Sequence, residues 1–148
     1  MNRIPRKILF AVACALLLAA VSASAQIYRY YNPGSVWTVT TIRIKPGMDP
    51  AYEQYLDGDF KRESDAQVKA GYMKSYKILR TLDDDSAWNL IILREYKNLA
   101  SLEADAEKSD ALSRQVVGDD QSQMHGYEDR SKIREVLGTK TARELMLK

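Results

Sequence analysis

The run Leu90-Ile91-Ile92-Leu93 constrains this chain more than any other feature. It lies within the second of two apolar-rich segments, Met73–Leu82 and Trp88–Tyr96, which flank the connector Asp83-Asp84-Asp85-Ser86-Ala87. Two such segments around a short acidic connector predict a β-hairpin with a longer loop. With Leu82 opposite Trp88, the even-numbered residues Tyr76, Ile78, Arg80, Trp88, Leu90, Ile92 and Arg94 share one face. Ser75, Lys77, Leu79, Asn89, Ile91 and Leu93 then occupy the other. A strand with one wet face alternates apolar and polar residues, whereas a continuous apolar run asks for cover on both sides.

Composition becomes informative only when residues 1–25 are set apart. Arg3, Arg6 and Lys7 form a basic start, Ile8 to Val21 is almost unbroken apolar sequence, and Ala23-Ser24-Ala25 is an A-x-A site. This is the pattern of a cleavable signal peptide, with the cut expected before Gln26 and the product periplasmic or secreted. The apolar stretch falls short of the roughly 20 residues of a spanning helix, so no membrane segment is expected after cleavage. A retained anchor is the alternative. Cys14 follows Ala11-Val12-Ala13, a poor lipoprotein signal, and it is the only cysteine in the chain. Of 22 Lys and Arg residues three belong to the leader, which leaves 19 against 20 Asp and Glu. The mature chain is near neutral, and no basic patch interleaved with aromatic residues points to nucleic acid. Without cysteine it needs no disulfides, so its stability rests on its core and on a partner subunit.

The remaining elements follow in order. Residues 26–34 form an N-terminal arm with Tyr28, Tyr30 and Tyr31, closed by the turn signal Asn32-Pro33-Gly34. The arm either packs its rings on the body or forms a flap over a pocket. Ser35–Ile44 is rich in β-branched residues and predicts a strand. Asp49 and Pro50 predict a capped helix start, and Gly71 a helix end near Ala70. Tyr52, Leu56, Phe60 and Val68 give that helix an apolar stripe, interrupted by Gly58, which weakens it by about 1 kcal/mol. Asn98 predicts the cap of a second helix, with Leu102, Ala106 and Leu112 inward and a break before Val116-Val117-Gly118. Asp119–Arg130 reads as a polar loop with room for helical turns, Ser131–Leu137 as a short helix and Lys140–Lys148 as a terminal strand.

Strand, helix, strand, strand, helix, strand is the ferredoxin-like βαββαβ order: an α+β fold whose antiparallel sheet carries its helices on one face. Three stretches carry a family resemblance: Ile42-Arg43-Ile44-Lys45-Pro46-Gly47-Met48 before a tyrosine-bearing helix, Gly71-Tyr72-Met73-Lys74-Ser75-Tyr76 before the hairpin, and Tyr96-Lys97-Asn98-Leu99 at the second helix. On these the chain resembles the dimeric α/β-barrel superfamily, including its NIPSNAP-like and antibiotic-biosynthesis-monooxygenase-like groups. The resemblance implies residues 35–148 as one domain and a homodimer in which two sheets face each other. It implies no single activity, since the superfamily includes cofactor-free oxygenases, isomerases, heme-handling proteins and domains without known activity.

The candidate sites are few. His125 is the only histidine and has the intrinsic pKa of a general base, or could ligate heme; a solvated surface histidine is the plain alternative. Asp83-Asp84-Asp85 could meet a hard cation, but three adjacent acids seldom converge on one ion, and no spacing supports zinc or any other metal centre. No cofactor is implied. Tyr76, Arg80, Trp88 and Arg94 on one sheet face, with Trp37 on the first strand, suit a pocket for a planar or anionic small molecule, or equally a subunit interface. The sequence therefore supports small-molecule binding by a homodimer. The alternatives are an oxygenase or isomerase on an aromatic or polyketide-like substrate, with Trp37, Tyr76, Trp88 and His125 to test, and a structural subunit without a ligand.

Overall fold

The computed structural model describes residues 30–83 and 87–148. The expected leader, the arm before Tyr30, and residues 84–86 of the hairpin loop lie outside the described residues. Strand β1 is Tyr31–Ile44, followed by helix α1 (Asp49–Tyr55), a π-helical turn (Leu56–Phe60) and helix α2 (Lys61–Ala70). Strands β2 (Ser75–Arg80) and β3 (Leu90–Tyr96) form the hairpin. Helices α3 (Leu99–Ala104), α4 (Ala106–Val116) and α5 (Asp120–Ile133) precede strand β4 (Arg134–Leu147). The sheet order is β2-β3-β1-β4, and β3 runs antiparallel to both neighbours with a registered pairing. This is the ferredoxin-like arrangement, in which a third strand splits a βαβ unit. The chain divides into two units: Pro33–Glu144, and the chain ends up to Asn32 with Leu145–Lys148. Within the latter, the Lys148 amide donates to the Tyr30 carbonyl (3.2 Å).

The hairpin register is the one expected, with Tyr76 opposite Arg94 and Arg80 opposite Leu90. Pairing of β1 with β3 extends the even face to Ile42 opposite Leu90 and Thr40 opposite Ile92. That face is the covered one. Ile42, Ile44, Leu90 and Ile92 are buried against Tyr52 and Phe60 of the first helical segment. Each such side chain contributes roughly 1.5–3 kcal/mol when fully buried. The π turn explains how Tyr52 and Phe60, eight residues apart, both reach the sheet. In a straight α-helix that spacing rotates about 80° off the stripe, and one extra residue in the turn brings Phe60 back by about 100°. Gly58, at φ −92° and ψ −107°, is the residue that leaves helical geometry there.

Local signals fix several ends. Gly71 closes α2 at φ 79°, where the Gly71 and Tyr72 amides donate to Val68 and Gln67 carbonyls. Gly47, at φ 77°, follows Pro46 in the turn from β1, closed by the Met48 amide on the Lys45 carbonyl (3.0 Å). Asn98 and Ser101 cap α3 reciprocally.

Other expectations are corrected. Strand β1 begins at Tyr31, four residues before the expected Ser35, so the last part of the arm is sheet. Pro33 is tolerated because pairing with β3 begins only at Val36. Asp49 is not the cap of α1; its carboxylate instead pairs with Arg80 (2.5 Å). The second helix breaks at Asp105 and resumes to Val116, and Ala106 is exposed. Asp119–Arg130 is a capped, continuous helix rather than a loop with helical turns, and Ser131–Leu137 is no separate helix: Asp119 accepts from the Ser122 amide (2.8 Å) and caps α5, which runs to Ile133. The chain then turns extended at Arg134 and enters β4, six residues before the expected Lys140. Helix α5 buries no residue completely, and Met124 and Tyr127 are exposed. It therefore carries no apolar stripe for a sequence pattern to reveal.

Candidate functional site

The covered face consumes three of the expected site residues. Tyr76 donates to Asp65 of α2 (2.8 Å), and Arg80 reaches Asp49 and Glu53 of α1 (2.5 and 3.4 Å). Arg94 lies over the Phe60 ring at 5.3 Å. Aromatic contacts run on from Phe60 to Tyr76 at 5.6 Å, to Tyr55 at 6.2 Å, and from Tyr55 to Tyr52 at 5.6 Å. Burial pushes the Tyr52 hydroxyl up to about 12, against the opposing charge of Arg134, whose guanidinium sits over its ring at 5.4 Å. Tyr76 is also raised to about 12, by burial and then by its bond to Asp65. These side chains join sheet to helices. Trp88 is half-buried ahead of β3.

The other face is different. Across β2, β3 and β1 the registered rows are Ser75–Glu95–Trp37, Lys77–Leu93–Val39 and Leu79–Ile91–Thr41. Leu79 is 50% exposed, and Val39, Ile91 and Leu93 are only partly buried. Trp37 lies here, away from Tyr76, Arg80 and Arg94, with the Lys77 ammonium 5.8 Å from its ring centroid. Glu95 bounds this surface: it accepts from Lys74 and Ser75, both at 2.6 Å. Those hydrogen bonds, that of Lys74 foremost, with Ser35 also contributing, hold its carboxyl down at about 2. Arg43 and Glu135 pair at 3.3 Å at the other end of β1. An apolar strip bounded by polar groups is the form of an interaction surface.

A second feature escaped the sequence. A cleft of about 420 Å³ lies between α5 and the segment from Tyr55 to Glu63. Arg130 on α5 stacks on the Tyr55 ring at 4.5 Å, and burial raises the Tyr55 hydroxyl. Residues 55 and 130 are distant in sequence, so no local spacing announces the pair. His125 stands on α5 with its side chain 68% exposed and its Nδ1 3.6 Å from Glu128; it lines none of the described clefts. Asp83 is exposed, and the other two acids of its run lie outside the described residues. Among the described residues no cluster of three or more His, Cys, Asp or Glu could hold a metal ion. No described helix is long and apolar enough to cross a membrane.

No family model matches the chain, and no curated protein does. Solved structures do. A dimeric ferredoxin-like protein from an uncultured marine organism is similar at TM-score 0.51 and 10% identity, over 78% of this chain and 90% of that one. HapK from Hahella chejuensis gives TM-score 0.49 and 14% identity, over 74% and 92%. A dimeric protein of unknown function and ferredoxin-like fold from Bacteroides fragilis gives 0.45 and 11%, over 79% and 100%. The likeness to the marine protein is one of fold, ferredoxin-like; none of the three names carries the narrower NIPSNAP-like or monooxygenase-like resemblance.

Proposed function

We propose that this chain is a homodimeric binding module: two copies bring their open sheet faces together, and the space between them takes a small apolar or aromatic molecule. One observation carries the reading. The central strand is sealed on its helix side by Tyr52 and Phe60, while Val39, Leu79, Ile91 and Leu93 on the reverse have no covering element among the described residues. A second copy supplies what the chain lacks, and the similar marine protein is described as dimeric. Trp37 with the Lys77 ammonium near its ring gives this face an aromatic wall and a cation, the groups that orient a planar or anionic guest. Export is part of the proposal and rests on the leader sequence. The packed interior of the helix side favours a second reading, a dimeric subunit without cargo.

Native mass spectrometry of protein purified from its own exported fraction tests this. The expected result is two copies with a retained small molecule, and a single copy without cargo for Leu93→Asp. A wild-type monomer would overturn the proposal. An empty dimer that also fails to enhance the fluorescence of an anilinonaphthalene sulfonate probe would leave the cargo-free subunit.

A further inference from the structure

The cleft between α5 and the Tyr55–Glu63 segment has opposite charges on its two walls that do not meet. On one wall stands Arg130; among the described residues it forms no ion pair within 4.0 Å, and its buried Nε has no hydrogen-bond partner. On the other wall stand Asp59 and Glu63. Asp59 is already paired with Arg62 (2.6 Å). Glu63 takes both the Ser113 hydroxyl (2.5 Å) and the Gln67 amide (3.3 Å) on Oε1, which leaves Oε2 free of described donors. Within α5 the Arg130 guanidinium packs over Gly126, where a Cβ would lie 2.8 Å from its Nη1.

We infer that this cleft binds a small zwitterion, a free α-amino acid with an aromatic side chain. Its carboxylate meets Arg130, its ammonium meets Glu63 Oε2, and its ring lies between Tyr55 and Tyr127. A guanidinium presents a planar fork suited to a carboxylate, and charge-assisted hydrogen bonds of this kind are stronger than neutral ones. A plain anion would face the two carboxylates, and a plain cation would face Arg130. Only a molecule with both charges satisfies both walls. The volume falls in the range of small-molecule sites. The inference does not depend on the sheet-face proposal, because every group named lies outside that face.

The probes are L-phenylalanine and its two halves in charge: 3-phenylpropionate, which lacks the ammonium, and phenethylamine, which lacks the carboxylate. In heteronuclear NMR titrations of the wild-type protein, L-phenylalanine is expected to shift the backbone amides of Gln123, Gly126 and Tyr127. Both halves should bind at least about tenfold more weakly, the loss of one charge-assisted contact. Arg130→Gln should weaken L-phenylalanine by a similar factor while leaving phenethylamine no weaker. The inference falls if 3-phenylpropionate binds as tightly as L-phenylalanine. It also falls if L-phenylalanine moves none of these amides up to about 10 mM, beyond which affinity is negligible. The wild-type titrations decide it even where Arg130→Gln fails to fold.

Discussion

The two faces of the β-sheet have nearly the same hydrophobicity on β3 and opposite fates. Leu90 and Ile92 are at most 5% exposed beneath Tyr52 and Phe60. Ile91 and Leu93, one residue away in each case, stay partly open. On the covered face even the polar residues are drawn into the join, Arg80 by Asp49, Tyr76 by Asp65 and Arg94 by the Phe60 ring. On the open face Lys74 pairs with Glu95 at one end and Arg43 with Glu135 at the other, and between them Val39, Leu79, Ile91 and Leu93 meet no covering element among the described residues. Hydrophobicity alone does not seal a surface. The helix side is sealed because the π turn rotates Phe60 back onto the stripe that Tyr52 begins.

The sharpest break between the faces is in the cost of truncation. Phe60 is 1% exposed and touches the rings of Tyr55 and Tyr76, so Phe60→Ala should lower stability by about 3–5 kcal/mol. Leu93→Ala, on a partly open site, should cost only about 1 kcal/mol at concentrations that keep the chain monomeric. Urea unfolding of both variants across protein concentration gives the comparison. If the Leu93 cost rises with concentration and the Phe60 cost does not, the open face is the one a second copy covers.

How far the sequence foretold this depends on how local each signal is. The hairpin register, the Asn98 cap and the Gly71 end are set by residues within a few positions of one another, and all three are found as expected. Helix α5 and the start of β4 are held by distant partners, the Tyr55 ring for Arg130 and the Lys45 amide for the Ile133 carbonyl. Neither leaves a periodic trace. The faces of Tyr76, Arg80 and Arg94 could be read from alternation, but alternation does not say which face receives the helices. That is why Trp37, grouped with them by chemistry, stands on the opposite side.

The faces should also respond to opposite ends of the pH scale. Tyr52 and Tyr76 rise from 10.0 to about 12 in the folded chain, so the fold favours their neutral forms. Their stabilisation is complete below pH 10 and is lost as pH rises through about 12. Glu95 moves the other way, from 4.5 to about 2, so its contribution is present above pH 4.5 and is lost as pH falls toward 2. Thermal midpoints across this range should show a descent at each end. Tyr52→Phe should reduce the alkaline descent at little cost near neutrality, because the buried hydroxyl has no hydrogen-bond partner. Glu95→Gln should flatten the acid descent alone. A variant that altered both descents would mean that the two clusters are coupled through the sheet.

The smallest expected effect marks where the covered part of the open face ends. Arg43 and Glu135 are 48% and 57% exposed, and such a pair is worth about 0–1 kcal/mol, less at high salt. Arg43 also donates its Nε to the Ala87 carbonyl (2.7 Å), so it keeps its place when Glu135 is neutralised. Glu135→Gln should therefore cost under about 1 kcal/mol. The same substitution in the Leu93→Asp background should cost the same within about 0.5 kcal/mol, as independent sites do. That additivity would place the pair at the rim, in water whether or not a second copy is bound. A cost well above 1 kcal/mol that vanishes with Leu93→Asp would mean the reverse. Removing Glu135 would then strand a desolvated Arg43, and the contact between copies would extend along β1 to its end.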